Sequence, residues 1–237
     1  MRRQAGFTLI EIAIVLVIVG LLLGGVLKGQ ELITSARVRN VASQLEGVKI
    51  AYLGFQDRYR SLPGDYANAQ AGANIPGPTT TLGCTGANCQ NGRIDAGVGV
   101  GVNESILAWH QLGRAGFING SFDGVGDSTA PSPLNSPTNP FGGNMQIVFD
   151  RNFSDAVGTT DVFNVKTGTN VPSGIVAEID RKIDDGVALT GSFRSASLAT
   201  GGTAAWEGST ASCLTASPAF LHNAAQDIKT CGGVALQ

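Results

Sequence analysis

The chain is poor in charge. Only 14% of its 237 residues are Asp, Glu, Lys or Arg, and the formal net charge is -2. That excludes the strongly basic surface that marks a nucleic-acid-binding protein, and no nucleic-acid partner is expected. Histidine is scarce, with His110 and His222 alone, and the four cysteines lack the CxxC spacing of a zinc site. Gly97-Val-Gly-Val-Gly101 lacks the Gly-Lys-Ser/Thr ending of a phosphate-binding P-loop. No serine stands in a nucleophile-elbow motif, and His110, beside Trp109 on a predicted helix, reads as a structural residue rather than a base. No catalytic constellation emerges, so an enzyme is not expected.

Glycine, by contrast, is plentiful. The 33 glycines often neighbour Ser, Thr, Asn and Pro, a mixture that marks long irregular loops. The hydrophobic share of 43% argues against wholesale disorder. Much of it is concentrated at the N-terminus, which leaves a modest, loop-rich domain behind it. The length suits one globular domain plus an extended element.

Residues 1–6, Met-Arg-Arg-Gln-Ala-Gly, are short and basic. From Phe7 to Leu27 every residue is apolar or small except Thr8 and Glu11. As a helix at about 1.5 Å per residue this segment spans roughly 30 Å, the hydrocarbon thickness of a bilayer. Arg2 and Arg3 predict a cytoplasmic N-terminus and an external remainder. A secretory signal peptide would need a small-residue cleavage site, and no A-x-A-like site follows Leu27. Neither a signal peptide nor an ordinary signal anchor explains Glu11, since a carboxylate in a membrane helix is costly and marks function by default.

Gly6-Phe7-Thr8-Leu9-Ile10-Glu11, followed by an apolar helix containing Gly20, resembles the N-terminus of the type IV pilin and pseudopilin family. The resemblance implies cleavage between Gly6 and Phe7 by a prepilin peptidase on the cytoplasmic side, and N-methylation of Phe7. It implies a role for Glu11 in subunit assembly, neutralising the Phe7 amine of a neighbour or of its own chain as helices pack. Other pilin subunits and an inner-membrane assembly machinery are the remaining implied partners. The implied localisation is the bacterial inner membrane, single-pass with a periplasmic head, and then a pilus or pseudopilus filament. Pilins often carry a proline in the membrane half of the helix; here the first proline is Pro63.

Beyond the anchor, Val38, Val41, Leu45, Val48, Tyr52, Phe55 and Tyr59 recur at spacings of three and four, an apolar helical stripe. Leu62-Pro63-Gly64 predicts the stop. The expected organisation is a leader over 1–6, a transmembrane or filament-core half over 7–27, an amphipathic half over 28–61 and a globular extracytoplasmic head over 62–237. The expected class is α+β: a pilin-like lollipop whose long helix packs on a small, loop-rich antiparallel sheet. Within the head the pattern predicts a glycine-rich connection over 65–103, a helix over 104–115 capped by Asn103, and strands over 145–149 and 162–165. A helix over 173–185 and a strand over 191–196 follow, and the remainder reads mainly as loop.

Cys84/Cys89 and Cys213/Cys231 form two local pairs. An even count in a chain with an export signal reads as the disulfides Cys84–Cys89 and Cys213–Cys231, in an oxidising compartment, with the two other pairings still open. The second pair resembles the disulfide-bounded loop near the end of many pilins. Some secretion pseudopilins bind calcium in a head loop, and Asp123-Gly-Val-Gly-Asp127 and Asp184-Asp185-Gly186 are the runs to weigh. Neither fits an EF-hand, Asp-Gly pairs are common in turns, and no cofactor is expected. A structural subunit of a type IV pilus-like filament is the leading expectation. The alternatives are a type II secretion pseudopilin and a membrane-anchored binding module with a conventional signal anchor.

Overall fold

A computed structural model describes residues 8–76, 83–85, 89–95, 103–126, 131–151, 153, 161–197, 213, 222 and 231–236. The chain divides into two compact units, Met1–Arg39 and Asn40–Gln237. Helix α1, Leu9–Tyr59, is 51 residues long, about 76 Å at 1.5 Å per residue.

In the first unit the large apolar side chains of α1 from Leu9 to Leu27 are exposed, and none of its most apolar 18-residue stretch is buried. Charge returns at Lys28, which pairs with Glu31 at 2.7 Å one turn later. Such a segment is long and apolar enough to cross a membrane.

In the second unit α1 is amphipathic in the manner its stripe predicts. Val41, Leu45, Val48, Tyr52 and Phe55 are buried, as is Val38 just before the unit begins, and Tyr59 is half-buried. Gly54, which weakens an isolated helix, serves packing here: a β-carbon would lie 2.8 Å from the Phe117 ring. Phe55, Tyr59, Tyr66 and Phe117 form a connected ring cluster, with centroids 4.6 to 6.5 Å apart. After Tyr59 the chain turns through Arg60 and Leu62-Pro63-Gly64. The turn is clamped by Gln111, whose Oε1 accepts the Gly64 N–H at 2.6 Å and whose amide donates to the Tyr66 carbonyl.

The remaining elements are α2 (Asn68–Asn74), α3 (Glu104–Arg114), β1 (Gln146–Asp150), β2 (Val162–Lys166), α4 (Ser173–Ile183), β3 (Phe193–Ser197) and β4 (Cys231–Leu236). The strands form one antiparallel sheet in the order β1-β2-β4-β3. Helix α3 packs against β1, and α4 against β3 and β4. The α+β class expected from the sequence is therefore the class observed.

Two expectations need correction. The tail holds a strand that the sequence reading did not place: β4, Cys231–Leu236, occupies an interior position of the sheet. The 65–103 connection also holds a short helix, α2. Strand β4 reads Cys-Gly-Gly-Val-Ala-Leu, and glycine normally weakens a strand. Here it is required, because a β-carbon on Gly233 would fall 1.8 Å from the Phe193 ring. Asn103 does precede α3, but its side chain makes no capping hydrogen bond, and its buried Oδ1 and Nδ2 lack partners.

Candidate functional site

The described chain begins at the residues that the sequence singles out. Thr8 caps α1, and Glu11 stands three positions later. The Thr8 N–H and hydroxyl both donate to Glu11 Oε2 at 2.8 Å, and the Glu11 N–H donates back to Thr8 Oγ1 at 3.3 Å. This reciprocal pairing is a capping box, which satisfies helix-end donors that hydrocarbon could not. Among the described residues only Oε2 is engaged, which leaves the other oxygen of this exposed carboxylate open to a further donor. The cleavage and methylation positions, Gly6 and Phe7, lie outside the described residues.

In the head the structure pairs Cys84 with Cys89 and Cys213 with Cys231, with Cα separations of 5.4 and 5.7 Å. The first bridge sits in a segment organised by Asp65, whose carboxylate accepts the N–H groups of Gln90, Asn91 and Gly92. Burial nevertheless pushes Asp65 above the ordinary carboxylate range. Nearby, Glu104 on the first turn of α3 is 3% exposed and accepts the Asp95 N–H at 2.8 Å. Burial, with the charges of Asp65 and Asp95, raises it to about 8.

The second bridge joins β4 to a segment that carries His222. His222 Nε2 meets Asp180 Oδ2 of α4 at 2.6 Å, and both side chains are buried. Burial raises Asp180 to about 6 against the pull of His222. Burial also works to raise Asp184, but hydrogen bonds from Asp180 and the N–H groups of Phe193, Asp185 and Ser192 hold it low. Ligand atoms of Asp180, Asp184 and Asp185 lie within 4.8 Å of one another. Asp184 is, however, committed to those amides, and Asp185 binds the Val187 N–H and the Thr190 hydroxyl. They are tied into their own turn. Asp123 likewise accepts the Val125 N–H in a local turn, while Asp127 and the 97–101 glycine run lie outside the described residues. His110 is buried and donates through Nδ1 to the Phe122 carbonyl, an arrangement that fixes the loop after α3.

The Thr8–Glu11 geometry at the mouth of an exposed apolar helix is the feature to compare with known proteins. Residues 1–27 match the family model for the prokaryotic N-terminal methylation motif. It is the signature of type IV pilins and pseudopilins. No curated protein and no solved structure matches the chain. A motif of this type implies a prepilin peptidase and filament subunits in general, and with the apolar helix it fits a membrane-anchored protein.

Sequence reasoning missed the long-range pairs of the head. Asp180–His222 joins residues 42 apart, and Lys166–Asp150 is a buried ion pair across β1 and β2. Lys166 is fully buried, and its amine is driven down by burial against the pull of Asp150. An Asp at 180 or a Lys at 166 has no local signature; each is explained only by a partner that the folded head brings to it.

Proposed function

We propose that this chain is the precursor of a structural, non-catalytic subunit of a type IV pilus-like filament. Cleavage falls between Gly6 and Phe7, Phe7 is N-methylated, and the product polymerises from the inner membrane with its head in the periplasm. The observation that carries this reading is the methylation motif set directly on a helix that, apart from Glu11, is apolar or small from Leu9 to Leu27 and whose most apolar 18-residue stretch is unburied. Such a surface is stable only in lipid or against similar helices.

Glu11 takes a defined part. Its Oε2 is held by Thr8, so the carboxylate is pre-oriented while one oxygen stays available. A methylated amine at Phe7, on a neighbouring subunit or its own chain, would be neutralised there, and an unpaired charge would penalise wrong axial register. A type II secretion pseudopilin is the second reading, and rests on the same motif. A membrane-anchored binding module with a conventional signal anchor is the third, and leaves Glu11 without a purpose.

The test is intact mass and N-terminal sequence of the protein recovered from membranes of its own host. A chain beginning at methylated Phe7 supports the reading. One beginning at Met1, or cut near Gly25, defeats it. Shearing cells then separates a surface pilus, which is released, from a pseudopilus, which is not.

A further inference from the structure

The dipeptide Asn-Gly occurs twice in the chain, at Asn91-Gly92 and Asn119-Gly120, and both pairs are exposed loop residues of the head. Such a pair can react with itself. The glycine nitrogen attacks the asparagine carboxamide, and its approach is unhindered because glycine has no β-carbon. The fold treats the two pairs differently.

Around Asn91 every participating group is held. The Gly92 N–H, whose nitrogen would be the nucleophile, donates to Asp65 Oδ2 at 2.7 Å. The Asn91 N–H donates to the other oxygen of the same carboxylate at 3.2 Å. The carboxamide is fixed at both ends: Oδ1 accepts the Arg93 N–H at 2.8 Å, and Nδ2 donates to Asp95 Oδ2 at 2.8 Å. Asp65 is itself buried, so this grip belongs to the packed turn after α1. Hydrogen bonds to charged groups are the strong ones, and the Gly92 nitrogen is free to attack only when they open locally.

Asn119 has no such hold. Anchoring of the loop after α3 ends at Phe117 and Ile118, whose N–H groups both donate to the Leu112 carbonyl. It resumes at Phe122, whose carbonyl meets His110 Nδ1. Among the described residues, no hydrogen bond reaches the Asn119 side chain or the Gly120 N–H. Gly120 holds φ +131°, and a β-carbon there would lie 2.8 Å from the Phe122 ring. The packing of the loop therefore demands at 120 the residue that the reaction favours.

We propose that Asn119 is a site of spontaneous deamidation in the folded head, while the turn gripped by Asp65 protects Asn91 from the same reaction. A bond forms between the Gly120 nitrogen and Asn119 Cγ, the Cγ–Nδ2 bond breaks, and ammonia leaves with the amide proton. Water then opens the succinimide at either carbonyl, giving aspartate or isoaspartate at 119. Each event adds a negative charge close in sequence to Phe117, whose ring packs on Gly54 and Phe55 of α1. The isoaspartate product also lengthens the backbone there by a methylene. The reaction is the same whichever filament the chain serves.

The experiment incubates the full-length chain in lauryldimethylamine oxide micelles at pH 7, with a parallel sample unfolded in urea. Samples are digested in acid, where ring closure is slow, and the peptides covering 91 and 119 are followed by mass spectrometry. In the folded chain Asn119 is expected to deamidate about tenfold or more faster than Asn91, the factor set by opening a charged hydrogen bond. In urea the two sites should react at similar rates. Hydrogen exchange of the folded chain should find the Gly92 amide protected and the Gly120 amide unprotected. Asn91 reacting as fast as Asn119 in the folded chain overturns the proposal, as does an unreactive Asn119. A preference for Asn119 that persists unchanged in urea would trace to sequence rather than fold, and overturns it too. So does an unprotected Gly92 amide.

Discussion

Glu104→Gln is expected to flatten the dependence of head stability on pH. Glu104 is 3% exposed, and burial together with Asp65 and Asp95 raises it from 4.5 to about 8. The folded head therefore keeps a proton that the unfolded chain gives up. The stability this confers is complete below about pH 4.5 and is lost as pH rises through about 8. A tenfold change in proton affinity is worth about 1.4 kcal/mol, so the full swing is on the order of 5 kcal/mol. Asp65 and Asp180, both raised by burial, act in the same direction, whereas Asp184 and Lys166, both lowered, act in the opposite one, so the contribution of Glu104 is read from the difference between variant and parent. The substituted amide would keep an acceptor for the Asp95 N–H without the charge. The variant should match the parent within about 1 kcal/mol at pH 5 and exceed it by roughly 2–5 kcal/mol at pH 8.5. Urea unfolding of the full-length chain in detergent, followed by the fluorescence of buried Trp109, measures both arms. A difference between variant and parent that is the same at pH 5 and at pH 8.5 would refute the reasoning.

Other outcomes are equally specific. Glu11→Ala should give a processed, membrane-inserted protein that assembles poorly, and Glu11→Gln, which retains an acceptor for Thr8, should share the defect. Normal filament yield from both would remove the charge-pairing role. Replacing Cys213 and Cys231 together by serine opens a bridge of sequence separation 18 and should cost about 3 kcal/mol in urea unfolding; an unchanged midpoint would show that the sheet holds β4 unaided. Gly233→Ala should destabilise by about 2–3 kcal/mol, because its β-carbon meets the Phe193 ring. Phe193→Leu in the same chain should recover part of that loss, and no recovery would place the strain elsewhere.

What the sequence made legible follows from the range of the interactions involved. Helix α1 carries its own pattern: an unbroken apolar run, then a stripe at spacings of three and four from Val38 to Phe55. α3, α4, β1 and β2 were legible to within two residues for the same reason. Strand β4 was not, since Cys231-Gly232-Gly233 has turn composition and becomes strand only because β2 and β3 flank it and Phe193 occupies the space a side chain would need. The short helix α2 was hidden too, lying within a glycine-rich stretch with no side-chain cap hydrogen bond. Among site residues, Glu11 was conspicuous because a carboxylate in an apolar run violates a local rule. Glu104 and Asp180 violate none until tertiary structure buries them.

The capping box bears on how assembly chemistry can be both tight and specific. A helix end inside hydrocarbon would have to satisfy its N–H groups, and the hydrogen bonds between Thr8 and Glu11 do this within the chain itself. On the proposed reading, Glu11 would meet an incoming amine with its rotamer already restricted, leaving less side-chain entropy to be lost on pairing. If Thr8 supplies that restriction, Thr8→Val should impair assembly while leaving the charges of Glu11 and Phe7 untouched. The effect should be weaker than that of Glu11→Gln, which removes the charge and keeps the acceptor. Filament yield in the order parent, Thr8→Val, Glu11→Gln would show that orientation and charge contribute separately. A Thr8→Val yield equal to that of the parent would mean that the carboxylate finds its partner without being held.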